Sequence, residues 1–253
     1  MSGLYTRRRL LGAGSLGLGA LALGGCDRLN TSAGFRGLMK QAEDLHMSSQ
    51  RLLAGGALAR EFAPSDLSPV FRANGNRAVS DSRYLDHLAT GFAQWALVVD
   101  GLVRRPLALP LTALQALEQR SQITRHDCVE GWSAIGQWQG PQLSQVLAMA
   151  GLLPHARYIV FHCADSIGAA PYYESIDLAD ALHPQTILAW RMNGRPLPVE
   201  HGAPVRLRVE RQLGYKHAKF VMRVEARASL DGLYGGKGGY WEDAAGYQWY
   251  AGI

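Results

Sequence analysis

Arg125-His126-Asp127-Cys128-Val129-Glu130-Gly131-Trp132-Ser133 sets one cysteine between an imidazole, two carboxylates and an indole. A single cysteine is most often a buried small hydrophobe. His126 and Asp127 equally permit a reactive thiolate, although the flanking pattern of papain-like nucleophiles is absent. Outward from this stretch come Trp138-Gln139-Gly140 and then Leu143 to Ala150, which reads as a helix stopped by Gly151 and Pro154. The other cysteines are Cys26 and Cys163. No CxxC, HExxH, GxxxxGK[ST] or GxSxG occurs, so zinc knuckles, thioredoxin-type pairs, phosphate loops and nucleophile elbows find no support. The glycine-rich run from Gly232 to Gly239 follows no strand-to-helix context and is not read as a phosphate loop.

The chain has 253 residues, enough for one large domain or two small ones. Hydrophobic residues make up 47% and charged residues 19%, which argues against disorder. The net charge is +5, but Arg7, Arg8 and Arg9 supply three of those charges, leaving about +2 on the body. No run of five or six like charges appears, so a nucleic-acid partner is not expected.

Thr6-Arg7-Arg8-Arg9-Leu10-Leu11 precedes a Gly, Ala, Leu and Ser stretch ending at Gly24. Charged start, apolar middle and small residues form an export address, too short and glycine-rich to span a bilayer of ~20 apolar residues. The arginine motif resembles the twin-arginine signal, a route that carries folded proteins. Leu23-Gly24-Gly25-Cys26 resembles a bacterial lipobox, which implies lipidation at Cys26 and a periplasmic or other extracytoplasmic protein anchored to a membrane. Residues 1–25 are therefore expected to be the signal, 26–69 a leader helix and linker, and 70–253 a single domain.

Within 27–60, Leu38, Leu45, Leu52 and Leu53 recur near helical spacing, and Ala63 to Pro69 is a turn-rich break. Gln94 to Gly101 reads as a buried strand and turn, and Leu111 to Arg120 as a helix capped by Thr112. Tyr158 to Cys163 is a β-rich apolar run. Val205 to Glu210 and Phe220 to Glu225 alternate as strands with one buried face do, which would point Arg206 to solvent. Strands and short helices alternate too irregularly for a doubly wound sheet, so the expected class is α+β with several small sheets.

Cys128-Val129-Glu130-Gly131-Trp132-Ser133, with Trp138-Gln139-Gly140 after it, resembles the cofactor-cysteine segment of the sulfite oxidase superfamily. Three further blocks resemble the same family in order and spacing. They are Tyr172 to Pro184, continued by Leu188 to Pro198; His201-Gly202-Ala203-Pro204-Val205-Arg206; and Gly214 to Lys219. The likeness runs from Phe71 to about Val224 and is nearest the branch of periplasmic methionine sulfoxide reductase catalytic subunits.

The resemblance implies a molybdenum–molybdopterin cofactor with Cys128 as metal ligand, and a soft thiolate suits such a metal. A dianionic pterin with a phosphate tail needs cations and hydrogen-bonding groups converging from several loops. By position these are Asn74, Asp165, His201, Arg206, His217 and Lys219. Tyr172 matches the family's active-site tyrosine, and Cys163 is expected to be buried and inert.

The family's sulfite-binding arginines have no counterpart between Val129 and Gln137. The resemblance therefore implies oxygen-atom transfer from a small-molecule sulfoxide rather than sulfite oxidation. Neither a haem-binding segment nor the family's C-terminal dimerisation domain is recognised, so a monomer exchanging electrons with a separate, membrane-bound haem protein is expected. Three alternatives stand beside this: sulfite oxidation, a non-catalytic lipoprotein binding module on the same fold, and a secreted cysteine hydrolase.

Overall fold

The structure, a computed structural model, describes residues 31–253. The export signal of residues 1–25 and Cys26 lie outside the described residues. The chain divides into two units, Met1–Leu53 and Ala54–Ile253. Helix α1 spans Ala33–Ala54.

In the second unit the order is α2 (Ser82–Ala89), β1 (Ala96–Gly101), β2 (Leu107–Pro110), α3 (Leu111–Ala116), β3 (Gln119–Cys128) and β4 (Trp132–Pro141). There follow α4 (Leu143–Ala150), β5 (Tyr158–Ile167), β6 (Ala170–Asp177), α5 (Leu178–Ala181), β7 (Ile187–Ala189), β8 (Arg191–Met192) and β9 (Arg195–Pro196). The last elements are β10 (Arg206–Arg208), β11 (Val221–Arg227) and α6 (Tyr240–Ala245).

The strands form three sheets, ordered β2-β1-β11-β5-β6, β3-β4-β8-β9 and β10-β7. Among the described residues only β1 and β11 pair in parallel. Mixed sheets joined by short helices are the expected α+β architecture. The main core packs Leu97, Val99, Ile159, Phe161 and Val224 of the five-stranded sheet with Leu143, Val146 and Leu147 of α4 and with Leu188, Val205 and Leu207. A smaller core gathers Trp138, Ile187, Ala189, Met192 and Leu197.

Three expectations are corrected. The helix expected over Leu111 to Arg120 ends at Ala116, and its N-cap is Pro110 rather than Thr112. Leu117 is extended, and the Gln119 amide donates to the carbonyls of Leu114 (2.9 Å) and Leu117 (2.8 Å). Those bonds satisfy the helix end while the Gln119 backbone joins the ladder opposite Pro141. The strand at Val205 to Glu210 is shorter than its alternation implies and is buried on both faces. The body also begins before residue 70. Ala59 N–H donates to Gln185 Oε1 (2.7 Å), and Phe62 N–H to the Ile123 carbonyl (2.9 Å), so the expected linker lies against β3.

Candidate active site

Cys128 ends β3 at the tip of the longest hairpin, whose ladder runs from Gln119 opposite Pro141 to Cys128 opposite Trp132. Three residues close it, with Gly131 at φ +84° and its N–H donating to the Cys128 carbonyl (3.0 Å). This is a three-residue hairpin loop whose last position needs a left-handed residue. The turn holds the thiol at a fixed point rather than on a mobile loop. Burial pushes the Cys128 thiol up, and the Glu130 carboxylate adds to this against the backbone N–H groups of Glu130 and Val129.

The thiol lines a cavity of about 130 Å³, smaller than the ~300–1,000 Å³ usual for small-molecule and cofactor sites. Asn74, Asp165, Tyr172, His217 and Lys219 line it as well. Six of the eight residues expected in the body thus meet around one space. His201 and Arg206 stand behind this lining: Arg206 donates to the carbonyls of His201 (3.1 Å) and His217 (3.4 Å).

Local structure explains each placement. In β5 the pairing shifts between His162 and Ser166, a bulge that carries Asp165. A bulge re-aims its side chains, and Asp165 is 4% exposed with Oδ2 accepting from the Asn76 amide (2.9 Å). Burial raises the Asp165 carboxyl against the pull of Asn76 and Lys219. Lys219 donates to the carbonyls of Asn74 (2.6 Å), Glu200 (2.9 Å) and Asn76. Tyr172 donates to the Tyr215 carbonyl (2.9 Å), and burial keeps the phenol protonated.

Electrostatically the inner part of the site gathers basic groups, each holding down the protonation of its neighbours. Burial, and then Arg208, draws Arg206 down to about 9. Burial, and then Arg206, draws Lys219 to about 7 and His201 to about 4. His126 and His217 are held well below the usual imidazole range by burial and by Arg208. Such a cluster favours an anionic partner.

The buried polar atoms Asn74 Oδ1, Asp165 Oδ1, His201 Nδ1, Arg206 Nε and His217 Nδ1 have no protein hydrogen-bond partner. Buried polar groups are normally paired, so these donors and acceptors fit an anionic, hydrogen-bonding organic ligand beside a soft thiol. The residues present therefore suit a pterin-type cofactor bound to metal through Cys128. No group of three or more His, Cys, Asp or Glu residues able to hold a metal ion exists among the described residues.

Several participants were not foreseen from the sequence. Arg208, completely buried, donates to Glu210 (2.9 and 2.5 Å) and sits 4.3 Å from the Trp138 ring centre, with Arg206 4.9 Å from the same ring. His126 shares the face of Cys128, two residues along the strand. Asn76, Glu130, Tyr215, Trp241 and Tyr247 complete much of the cavity wall. Alternation along a strand ending at Cys128 would have put His126 on the same face; no local pattern marks Tyr247. Cys163 is half-buried and borders a neighbouring pocket that shares Asp165.

Residues 86–231, more than half of the chain, match the oxidoreductase molybdopterin binding domain family. A putative protein-methionine-sulfoxide reductase subunit of Azospira oryzae is 44% identical over 160 residues, covering 63% of this chain and 56% of that protein. The protein-methionine-sulfoxide reductase catalytic subunit of Gluconobacter oxydans is 36% identical over 145 residues, covering 51% and 46%. The chain thus spans about half the length of the relatives it matches. The crystal structure of the sulfane dehydrogenase SoxCD from Paracoccus pantotrophus superposes with a TM-score of 0.51 at 21% identity, over 69% of this chain and 46% of that one. At that identity the likeness concerns the fold alone.

Proposed function

The chain belongs to the oxidoreductase molybdopterin-binding domain family, and from this premise we propose that it is the catalytic subunit of an exported sulfoxide reductase acting on methionine sulfoxide or a related small sulfoxide. One observation carries the reading. The Cys128 thiol, at the tip of a rigid hairpin, shares a cavity with Asn74, Asp165, Tyr172, His217 and Lys219. The names of the two relatives support the substrate.

The overall reaction takes a sulfoxide, two electrons and two protons to a sulfide and water. The molybdenum–molybdopterin group supplies the two-electron couple and the oxygen-accepting centre. Cys128 would ligate the metal. His201, Arg206, His217 and Lys219 would neutralise and orient the pterin and its phosphate, with Asn74 and Asp165 completing its hydrogen bonds. Tyr172, held protonated by its surroundings, has a hydroxyl able to donate toward a substrate oxygen once it leaves the Tyr215 carbonyl.

Electrons would come singly from a separate haem protein in the membrane. Export by the twin-arginine route, acylation at Cys26 and a monomeric state complete the proposal. Sulfite oxidation fits less well, since Val129 to Gln137 contains no arginine.

The test is molybdenum content by elemental mass spectrometry on wild type and Cys128→Ala, both expressed with cofactor biosynthesis intact, followed by sulfoxide and sulfite assays. About one metal per wild-type chain, with sulfoxide turnover abolished in the variant, is expected. Metal-free wild type would leave the binding-module reading in front, and a metal-free activity lost on Cys128 alkylation would indicate a hydrolase.

A further inference from the structure

Helix α1 (Ala33–Ala54) carries an apolar side that stands open. Leu38, Leu45 and Leu52 recur every seven residues and are 57%, 68% and 86% exposed, with Met39 and Leu53 exposed beside them. At 3.6 residues per turn, Leu38, Ala42, Leu45, Ser49, Leu52 and Leu53 share one side of the helix. All five Asp, Glu, Lys and Arg residues of α1, namely Arg36, Lys40, Glu43, Asp44 and Arg51, fall on the other. The apolar sector is thus wider than the ~100° stripe that suffices to dock a helix on a core.

Ser49 sits in the middle of the apolar side, and its hydroxyl donates to the Leu45 carbonyl (2.7 Å). It therefore brings no unpaired donor into an apolar surrounding. On the charged side Lys40 and Asp44 approach to 3.9 Å, both well exposed. A protein in water rarely leaves so continuous an apolar surface without a partner.

The place of α1 in the chain identifies that partner. Seven residues lead from Cys26 to Ala33, a reach of at most about 25 Å. Acyl chains on Cys26 would hold the helix within that distance of a bilayer. No helix among the described residues is long and apolar enough to cross one. A helix with one broad apolar side and one charged side lies in the plane of the membrane interface. Its three basic residues against two acidic ones favour anionic headgroups slightly.

A second copy of the chain fits less well. A coiled-coil seam needs apolar residues at both a and d. With the three leucines at d, the a positions hold Phe35, Ala42 and Ser49, which are large, small and polar. The apolar sector also runs past such a seam to Leu53 and Met39.

We propose that α1 lies in a lipid surface, with Leu38, Leu45, Leu52 and Leu53 among the acyl chains, as a second membrane attachment beside Cys26. This rests on the reading of Cys26 as an acylated N-terminus. The tether makes insertion of the helix an intramolecular event, so a helix of modest intrinsic affinity suffices.

The test uses the cofactor-loaded mature chain, residues 26–253, in two forms. One is acylated and purified from an exporting host; the other is made in the cytoplasm without acyl groups. The probe is vesicles of phosphatidylethanolamine with phosphatidylglycerol. In the acylated form on vesicles, amide exchange over residues 38–53 should slow at least five-fold relative to the lipid-free unacylated chain, while β3 and β4 stay unchanged. The unacylated chain should float with vesicles, and Leu45→Glu/Leu52→Glu should lower its partition coefficient at least ten-fold with kcat unchanged. Sedimentation without lipid should give wild type and the double variant one and the same mass.

Unprotected amides at 38–53 in the acylated form overturn the inference and leave the anchor standing. Equal flotation of unacylated wild type and the folded double variant, high or low, also overturns it. A lipid-free dimer that the two glutamates dissolve overturns it in favour of a second copy. Mass spectrometry of the N-terminal peptide separates the two readings. An unmodified Cys26 in a chain from the exporting host whose helix is still protected on vesicles overturns acylation and upholds the helix.

Discussion

Arg208 donates a hydrogen bond from Nη1 to His126 Nδ1 over 3.0 Å, with both side chains almost wholly buried. A guanidinium has no acceptor, so Nδ1 must offer its lone pair and the ring proton resides on Nε2. Burial and Arg208 keep the ring from taking a second proton. His126→Phe retains the ring but takes away that acceptor. It should destabilise the cofactor-free protein by about 1–3 kcal/mol, whereas His126→Gln should cost less. Urea unfolding at neutral pH measures both, and equal midpoints for the two variants would contradict this account.

The two glycines that flank this assembly should fail for different reasons. Gly131 has φ +84° and open space around it. Gly131→Ala should therefore cost only the left-handed backbone penalty of about 1–2 kcal/mol, and Gly131→Asn less. At Gly214 a Cβ would come 2.5 Å from His126 Nε2 and 2.6 Å from Cε1. Gly214→Ala must displace that ring, and it should lower cofactor retention as well as stability. Molybdenum content alongside thermal unfolding separates the two cases.

His201 gives a signed pH dependence. Its folded value is drawn to about 4, first by burial and then by Arg206, from an ordinary value near 6.5. Between those values the unfolded chain binds a proton that the native protein does not. The contribution of His201 to stability therefore falls as pH drops from 6.5 toward 4. In His201→Gln the cofactor-free protein should lose stability less steeply across that window while matching the wild-type slope near pH 7.5. Denaturant midpoints at intervals of half a pH unit decide it, parallel curves being the contrary outcome.

Lys216→Met should be among the most damaging single changes away from the main apolar core. Lys216 is fully buried, with Nζ 2.6 Å from Glu174 Oε2 and bonded to Glu242 Oε1. The change leaves both acids buried without their cation, which costs about 3–5 kcal/mol when a buried pair is broken. Burial already raises the Glu174 carboxyl well above its ordinary range. The loss should therefore be partly relieved at pH 5, where the Glu174 carboxyl takes up a proton. Chemical denaturation at pH 5 and pH 8 reads the difference, and an equal loss at both would count against it.

Much of this was legible in the chain. The order of blocks around Cys128, Tyr172, His201 and Lys219 pointed to one site, and six of the eight residues named from it meet around one cavity. Three features were hidden for physical reasons. Arg206 and Arg208 alternate with Leu207 and Val209 in a pattern that ordinarily turns charge to water, yet both guanidinium groups lie over the indole of Trp138, a partner more than sixty positions away. Asp165 reaches the cavity through a pairing shift that depends on β6 and β11 as much as on its own strand. Tyr247 lines the cavity from a segment whose Glu242 is held by Lys216, distant in sequence, so no local periodicity announces it.

The cavity draws its lining from Asn74 through to Tyr247. The hairpin that carries Cys128 can zip up early, because its ten paired residues per strand are neighbours in the chain. The groups that would grip the pterin cannot assemble until nearly the whole polypeptide has left the ribosome. Loading must then be a late event in the life of the chain. An unloaded molecule would already possess its framework and lack only the ligand that relieves the crowding of basic groups at its centre.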